Sequence, residues 1–277
     1  MALFVNQLTH IDVTLWCAER GLVGCSWQVD ALLEGALGED GMLFDFGEVK
    51  PWIKRTLDSG LDHTLLVPAN APGISISECE EGLCIRTTTP YAMEVRGPAE
   101  AFSLLPWEAI TLEQVASHLS GELTDQRPTN VDRVTLTLSD EAIDGAAYGY
   151  THGLKRHQGN CQRIAHGHRS RLAIWQSGQR QPALEARWAD WLDNRYLLEQ
   201  ADIQDQDDET LTCRYQAAQG EFLIRLPISR CAVLPGPTTV ENIAIWLARS
   251  LARDTGQATR VQAFEGINKG AFAESAP

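Results

Sequence analysis

The chain has 277 residues and a formal net charge of −14, a balance that argues against binding to nucleic acid or to an anionic membrane surface. Hydrophobic residues make up 44% of the chain and charged residues 22%, the composition of a globular protein rather than a disordered one. No apolar run approaches the ~18 residues that a membrane span needs, and seven cysteines without a Cys-x-x-Cys pair favour reduced thiols. We therefore expect a soluble protein of the cytoplasm.

In chain order, the first half carries patterns for strands, helices and a hairpin. Long segments rich in β-branched and aromatic residues predict strands, apolar residues at helical spacing predict helices, and Thr111 supplies an N-cap. The predicted elements are strands at 3–16 and 22–34, a helix at 48–59, a hairpin at 74–96 turning at Glu81-Gly82, and a helix at 111–120.

The second half repeats this plan. Its predicted elements are strands at 145–152 and 168–176, a helix at 183–192, a hairpin at 210–228 turning at Gln219-Gly220, a helix at 239–252, and strands at 259–265 and 270–273. Short segments recur in the same order: Leu61-Asp62-His63 as Leu192-Asp193-Asn194, and Thr111-Leu112-Glu113 as Thr239-Val240-Glu241. Such an internal repeat indicates a duplicated domain. We predict an α+β chain of two copies, residues 1–140 and 141–277, with helices on one face of antiparallel sheets.

Three histidines of the second copy predict a metal site. His166 and His168 are two residues apart, so on a strand their side chains would point to the same face, and a neighbouring strand can bring His152 beside them. Three neutral nitrogens leave the fourth tetrahedral position open, as in catalytic zinc sites. Without the third histidine, His-Gly-His would be explained more simply as a surface turn.

Three further positions carry groups that could act beside a metal. Cys161 precedes the histidine pair and could serve as a base. Asp62-His63 can form a proton relay if the carboxylate fixes the ring tautomer. Glu265 follows a predicted strand, where a carboxylate can bind an amino-pyrimidine edge by two parallel hydrogen bonds. Each position also has a plainer interpretation: a small buried residue, a structural pair and an exposed glutamate.

In their order and spacing, these residues resemble the 6-pyruvoyl-tetrahydropterin synthases and, more closely, the bacterial 6-carboxy-tetrahydropterin synthases of the queuosine pathway. The motifs that carry the resemblance run through nearly the whole chain: residues 41–50 (GMLFDFGEVK), Leu61-Asp62-His63, His152, Cys161 before His166-Gly167-His168, residues 237–242 (PTTVEN) and Glu265.

The resemblance implies the tunnelling fold, a ββααββ unit whose sheets assemble into barrels between subunits, so that the tandem pair looks like a fused dimer. It also implies a Zn²⁺ cofactor and a small-molecule pterin substrate, 7,8-dihydroneopterin triphosphate. The implied enzyme is a lyase like 6-carboxy-tetrahydropterin synthase, with a 6-carboxy or a 6-pyruvoyl product. The implied roles are zinc ligands for His152, His166 and His168, proton acceptor for Cys161, relay for Asp62 and His63, and pterin anchor for Glu265.

Each copy departs from the family pattern at a different place. The first copy has Gly24-Cys25-Ser26 where the family has its second-strand histidines, and the second copy has Asn194 where the family has the relay histidine. Four residues separate Cys161 from His166, whereas the bacterial enzymes usually have three. We therefore hypothesise one composite active site per chain, in a homo-oligomer such as a trimer of fused pairs. One alternative is a degenerate zinc-containing protein that binds a pterin or a purine without turnover, and another is a purely structural zinc module.

Overall fold

The computed structural model describes residues 1–277, and the chain divides into two compact units. The first unit comprises Met1–Ile11, Trp27–Asp62 and Ile110–Glu141, and the second comprises Asp12–Ser26, His63–Ala109 and Ala142–Pro277. These units are not the two sequence copies, because the middle of the first copy belongs to the second unit. The boundary at 140/141 between the copies stays a prediction.

Four α-helices form where the sequence provides both an apolar stripe and an end signal. Thr111 forms a capping box with Gln114, and Thr239 accepts from the backbone N–H of Asn242, so both threonines satisfy donors that a helix start leaves open. None of the helices is long and apolar enough to cross a membrane. The helices are α1 (Phe46–Ser59), α2 (Leu112–Asp125), α3 (Pro182–Leu192) and α4 (Val240–Thr255).

Eighteen β-strands and four three-residue 3-10 helices make up the rest of the regular structure. In the first copy they are β1 (Ala2–Cys17), β2 (Gly21–Gly35), β3 (Leu65–Pro68), β4 (Ile74–Cys79), β5 (Gly82–Thr87), β6 (Met93–Gly97), β7 (Phe102–Leu105) and β8 (Val131–Asp140). In the second copy they are β9 (Ala147–His152), β10 (His166–Gln176), β11 (Gln179–Arg180), β12 (Arg195–Glu199), β13 (Ile203–Gln206), β14 (Thr210–Ala217), β15 (Gly220–Pro227), β16 (Cys231–Leu234), β17 (Thr259–Phe264) and β18 (Gly270–Ser275).

In the first unit, α2 packs on the antiparallel pair formed by β2 and β8. Val134, Leu136 and Leu138 are buried at alternate positions of β8, as expected for a strand with one face toward a core. Ser120 of α2 accepts a hydrogen bond from the Leu136 N–H at 2.8 Å. The helix therefore satisfies part of the backbone of a strand that pairs only with β2.

Two sheets lie wholly in the second unit. One is antiparallel, with strand order β13-β14-β15-β6-β5-β4, and β15 pairs with β6 between Leu223–Arg225 and Glu94–Arg96. The hairpins that the sequence predicts separately in the two copies thus form one continuous sheet. The other sheet has the order β16-β12-β9-β10-β17-β18, with β11 paired to β10. Buried residues of α4, among them Ile243 and Leu247, pack against this sheet.

The predicted strands and helices are present, and the structure corrects their extent. The segment 74–96 is not a two-stranded hairpin, because β6 adds a third strand to β4 and β5. The helix predicted at 111–120 continues to Asp125. Sequence analysis also missed several four- or five-residue strands, including β3, β7, β12 and β16, since runs this short show neither a clear alternation nor helical periodicity.

Gly24 of β2 should tolerate no side chain. A Cβ atom at this position would lie 2.1 Å from the Tyr150 carbonyl oxygen and 2.7 Å from that of His168, and backbone atoms cannot rotate away. We expect Gly24→Ala to lower the free energy of unfolding by about 1–3 kcal/mol through overpacking, measured by chemical denaturation.

The matched control for this substitution is Gly121→Ala in α2. Nothing lies within 4 Å of a Cβ atom at this exposed helical position, so the exchange should stabilise the protein by about 0.5–1 kcal/mol. Equal effects of the two substitutions would contradict the close approach at Gly24.

Candidate metal centre

Three histidines converge in the second unit because of the register between two neighbouring strands. His166 of β10 pairs directly with His152 of β9, and His168 lies two residues further along β10. The ring centroids are 4.4 Å apart for His152 and His166, 5.3 Å for His152 and His168, and 5.4 Å for His166 and His168. All three side chains are fully buried. The structure thus brings together the three residues that the sequence predicts as a ligand set.

The Nδ1 atom of each ring faces an oxygen. His152 Nδ1 lies 3.0 Å from the Thr238 carbonyl oxygen, and His166 Nδ1 lies 3.0 Å from that of Arg163. A carbonyl oxygen only accepts, so Nδ1 is the donor in both rings and Nε2 carries a lone pair. His168 Nδ1 lies 3.2 Å from an Asp12 carboxylate oxygen, a close contact without the alignment of a hydrogen bond. Hydrogen bonds like those of His152 and His166 fix the orientation of metal-binding histidines.

The Nε2 atoms of His152, His166 and His168 are buried and have no hydrogen-bond partner. Leaving buried polar atoms unsatisfied costs free energy, and such groups require an explanation. One ligand atom from each ring lies within 4.8 Å of the others, a spacing that allows all three to bind one ion. The residues present therefore fit a metal ion, with these three histidines as its ligands.

Burial also favours the protonation state that a metal needs. Desolvation lowers the pKa of His152 well below its usual value, and the neighbouring His168 lowers it further. Desolvation also lowers the pKa of His166, and the neighbouring His152 makes the next largest contribution in the same direction. Both rings are therefore neutral near pH 7, as ligation by Nε2 requires.

A second cluster adjoins the first and shares His166. The ligand atoms of His63, Cys161 and His166 lie within 4.8 Å of one another, and the ring centroids of His63 and His166 are 5.2 Å apart. His63 has a left-handed backbone (φ 58°), and its N–H donates to the Asp12 carbonyl oxygen at 2.8 Å. The side chains of His63 and Cys161 are both partly exposed. An imidazole of the first copy thus meets a thiol of the second within one chain.

Glu265 follows β17 and opens a turn in which its N–H donates to the Lys269 carbonyl oxygen at 3.0 Å. Burial lowers the pKa of Lys269, but the carboxylates of Asp12 and Glu265 more than offset this effect and raise it.

Asp62 belongs to the first unit, where it is buried and its N–H donates to the Leu57 carbonyl oxygen at 3.2 Å.

Sequence analysis did not identify the groups that face the histidine Nδ1 atoms. Thr238 lies within the motif at 237–242, so its proximity to the site could have been anticipated, but not its contact with His152. The Arg163 carbonyl carries no side-chain signal at all. Asp12 was detectable as a single carboxylate within an apolar segment of β1 (IDVTLW), which is unusual in a buried strand.

Comparison with known proteins gives one family. The family model of 6-pyruvoyl tetrahydropterin synthase matches the chain twice, at residues 17–149 and 145–276. No curated protein gives a significant match.

Two solved structures illustrate the similarity. The 6-pyruvoyl tetrahydropterin synthase of Plasmodium vivax is 19% identical over 52% of this chain and 93% of its own, with a TM-score of 0.43. The enzyme of Plasmodium falciparum is 16% identical over 51% of this chain and 92% of its own, also with a TM-score of 0.43.

The metal-free protein should lose stability as the pH falls below about 6.5. In the unfolded chain His152 and His166 regain their ordinary pKa near 6.5, whereas in the folded protein their pKa is lowered. The unfolded state then binds more protons, so the free energy of unfolding should decrease by up to about 1.4 kcal/mol per pH unit for each histidine. Urea denaturation at pH 7.5 and 5.5 in the presence of a chelator measures this loss.

Glutamine variants test the assignment of this pH dependence. His166→Gln should flatten the dependence, whereas His118→Gln, at a partly exposed position of α2 outside the cluster, should retain most of it. A His166 variant with the same slope as the parent protein would refute the assignment.

Proposed function

Because this chain belongs to the 6-pyruvoyl tetrahydropterin synthase family, we propose that it is a zinc-dependent pterin synthase with one composite active site per chain. Its substrate is 7,8-dihydroneopterin triphosphate, and its product is a 6-carboxy- or 6-pyruvoyl-tetrahydropterin. The observation that carries the proposal is the adjacency of two clusters: three buried Nε2 atoms without partners, and a thiol and an imidazole beside one of them.

Zinc is the ion that suits this ligand set. Three neutral imidazole nitrogens and an open fourth position are typical of catalytic zinc, whereas structural sites are closed by four protein ligands and usually contain cysteine. When bound, zinc would polarise the side-chain hydroxyls of the substrate and stabilise developing enolate charge.

Protein side chains would carry out proton transfer and bind the pterin ring. We assign Cys161 as the proton acceptor and His63 as the group that moves a proton to or from the substrate before triphosphate leaves. Asp62, its neighbour in sequence, would orient the His63 ring. We assign Glu265 as the pterin anchor, since one carboxylate can accept two parallel hydrogen bonds from an amino-pyrimidine edge.

The composite site explains why neither copy carries a full set of groups. The first copy supplies Asp62 and His63, and the second supplies the ligands, the thiol and the anchor.

We also propose that the protein is located in the reducing cytoplasm, which its seven free cysteines support, and that it forms a homo-oligomer of three fused pairs. A 6-carboxy product would suit a role in queuosine biosynthesis.

The number of zinc ions per chain tests whether only the second copy binds the metal. Purified protein should contain one zinc per chain by elemental analysis, because only the second copy has the ligand histidines. Replacement of His152 by alanine should abolish zinc binding, while His118→Ala, at a partly exposed position of α2, should retain it. Two zinc ions per chain would refute the composite site, and none in metal-replete protein would remove the basis of the proposal.

Cys161→Ala separates turnover from binding. Loss of a proton acceptor should reduce turnover of dihydroneopterin triphosphate by about 10²–10⁴-fold, with zinc content and pterin affinity retained. The matched control is Cys17→Ala, another partly exposed free cysteine, which should keep full activity. Pterin binding without turnover in the parent protein, unchanged by Cys161→Ala, would instead support a degenerate binding protein.

A further inference from the structure

Asp12 is a buried carboxylate that belongs to the first copy and reaches the metal ligands of the second. Its side chain is 1% exposed, and both of its oxygens have partners. Oδ1 accepts from the Ser26 hydroxyl and lies 3.2 Å from His168 Nδ1, and Oδ2 lies 3.2 Å from the Lys269 ammonium. A buried charge is tolerated only with partners of this kind.

The surroundings of Asp12 are built for close contact. A Cβ atom at Gly266 would lie 2.7 Å from Asp12 Oδ1 and 2.8 Å from the Ser26 hydroxyl oxygen. Gly266 also has a left-handed backbone (φ 69°), which favours glycine. The absence of a side chain at this position therefore allows the turn after β17 to close over the carboxylate.

Ser26 fixes the carboxylate relative to the ligand strand. Its hydroxyl donates to Asp12, and its oxygen accepts from the N–H of Arg169 at 3.1 Å. Arg169 is the residue after His168, so one serine connects the carboxylate to the backbone beside the ring that it contacts. Both Asp12 and Ser26 come from the first copy, whereas His168 and Arg169 come from the second.

His168 differs from the other two ligands in the charge of its Nδ1 partner. The Nδ1 atoms of His152 and His166 face neutral oxygens of Thr238 and Arg163, while that of His168 faces a carboxylate. A carboxylate on the second nitrogen holds the ring orientation and increases the basicity of the ligating nitrogen, and its removal typically weakens metal binding about 10–100-fold.

We propose that Asp12 is a positioning residue of the metal centre, which holds His168 in place for ligation across the junction of the two copies. The first copy, which has no ligand histidines of its own, thereby contributes to metal affinity as well as to proton transfer. This inference rests on the proposed metal site, and it concerns a residue outside the motifs from which that site was assigned.

Zinc affinity measured by competition with a chromophoric chelator tests the proposal. Asp12→Asn should bind zinc about 10–100-fold more weakly than the parent protein, and the visible absorption of the Co²⁺-substituted protein should shift as the ligand field changes. Circular dichroism of the metal-free proteins verifies that the fold is retained. Unchanged zinc affinity and an unchanged Co²⁺ spectrum in Asp12→Asn would overturn the proposal.

Lys269→Gln distinguishes positioning from a structural ion pair. It removes the other charged partner of Asp12 and leaves the contact with His168, so zinc affinity and the Co²⁺ spectrum should be retained. An equal loss of affinity in Lys269→Gln would overturn the proposal in favour of a structural ion pair.

Ser26→Ala provides a milder second variant if Asp12→Asn does not fold. It removes one hydrogen bond from the carboxylate and should weaken zinc binding to a smaller extent, with a Co²⁺ spectral shift. An unaltered affinity and spectrum would count against the role of Asp12. A parent protein that binds no zinc would refute the proposed function itself, which keeps the two failures distinct.

Discussion

The candidate site depends on three buried imidazole rings whose Nδ1 atoms each lie close to an oxygen. Hydrogen bonds to the carbonyls of Thr238 and Arg163 determine which nitrogen of His152 and His166 carries the proton. Both rings therefore present a lone pair on Nε2, and burial opposes the charged form that would remove it. Buried lone pairs without a partner cost free energy, and a bound cation would offset this cost. The hydrogen bonds that orient the two rings therefore also favour the binding of a metal ion.

Close packing between the two copies requires a glycine on each side. Backbones of the two copies meet at glycines: a Cβ atom at Gly24 would lie 2.1 Å from the Tyr150 carbonyl oxygen, and one at Gly167 would lie 2.4 Å from the Thr14 hydroxyl oxygen. Gly167 lies between His166 and His168, so the same close approach is compatible with histidines on both sides of the glycine. The packing therefore requires a glycine in each copy, and the first copy lies against the histidine cluster through His63 and Asp12.

Local patterns predicted the part of the site that depends on strand geometry. Residues two apart on a strand share a face, which was enough to place His166 beside His168. The family resemblance, together with the departures of each copy from the family pattern, predicted that His63 and Cys161 belong to one site. The contacts of Asp12 could not be derived in the same way, because they depend on the turn at Gly266 and on packing between copies. The strands β3, β7, β12 and β16 were missed for a related reason: their pairing partners, rather than their own short sequences, define them.

The turn that carries His63 shows how the copies differ in chemistry without differing in backbone. His63 and Asn194 have nearly equal left-handed φ angles, 58° and 57°, and each N–H donates to a strand carbonyl, that of Asp12 at 2.8 Å and that of Gly149 at 2.7 Å. Asparagine and histidine are among the few residues besides glycine that adopt this conformation readily. The exchange of one for the other therefore removes a titratable ring and leaves the turn intact. A duplicated chain can lose one of two titratable rings in this way at little cost in stability, as the proposed composite site requires.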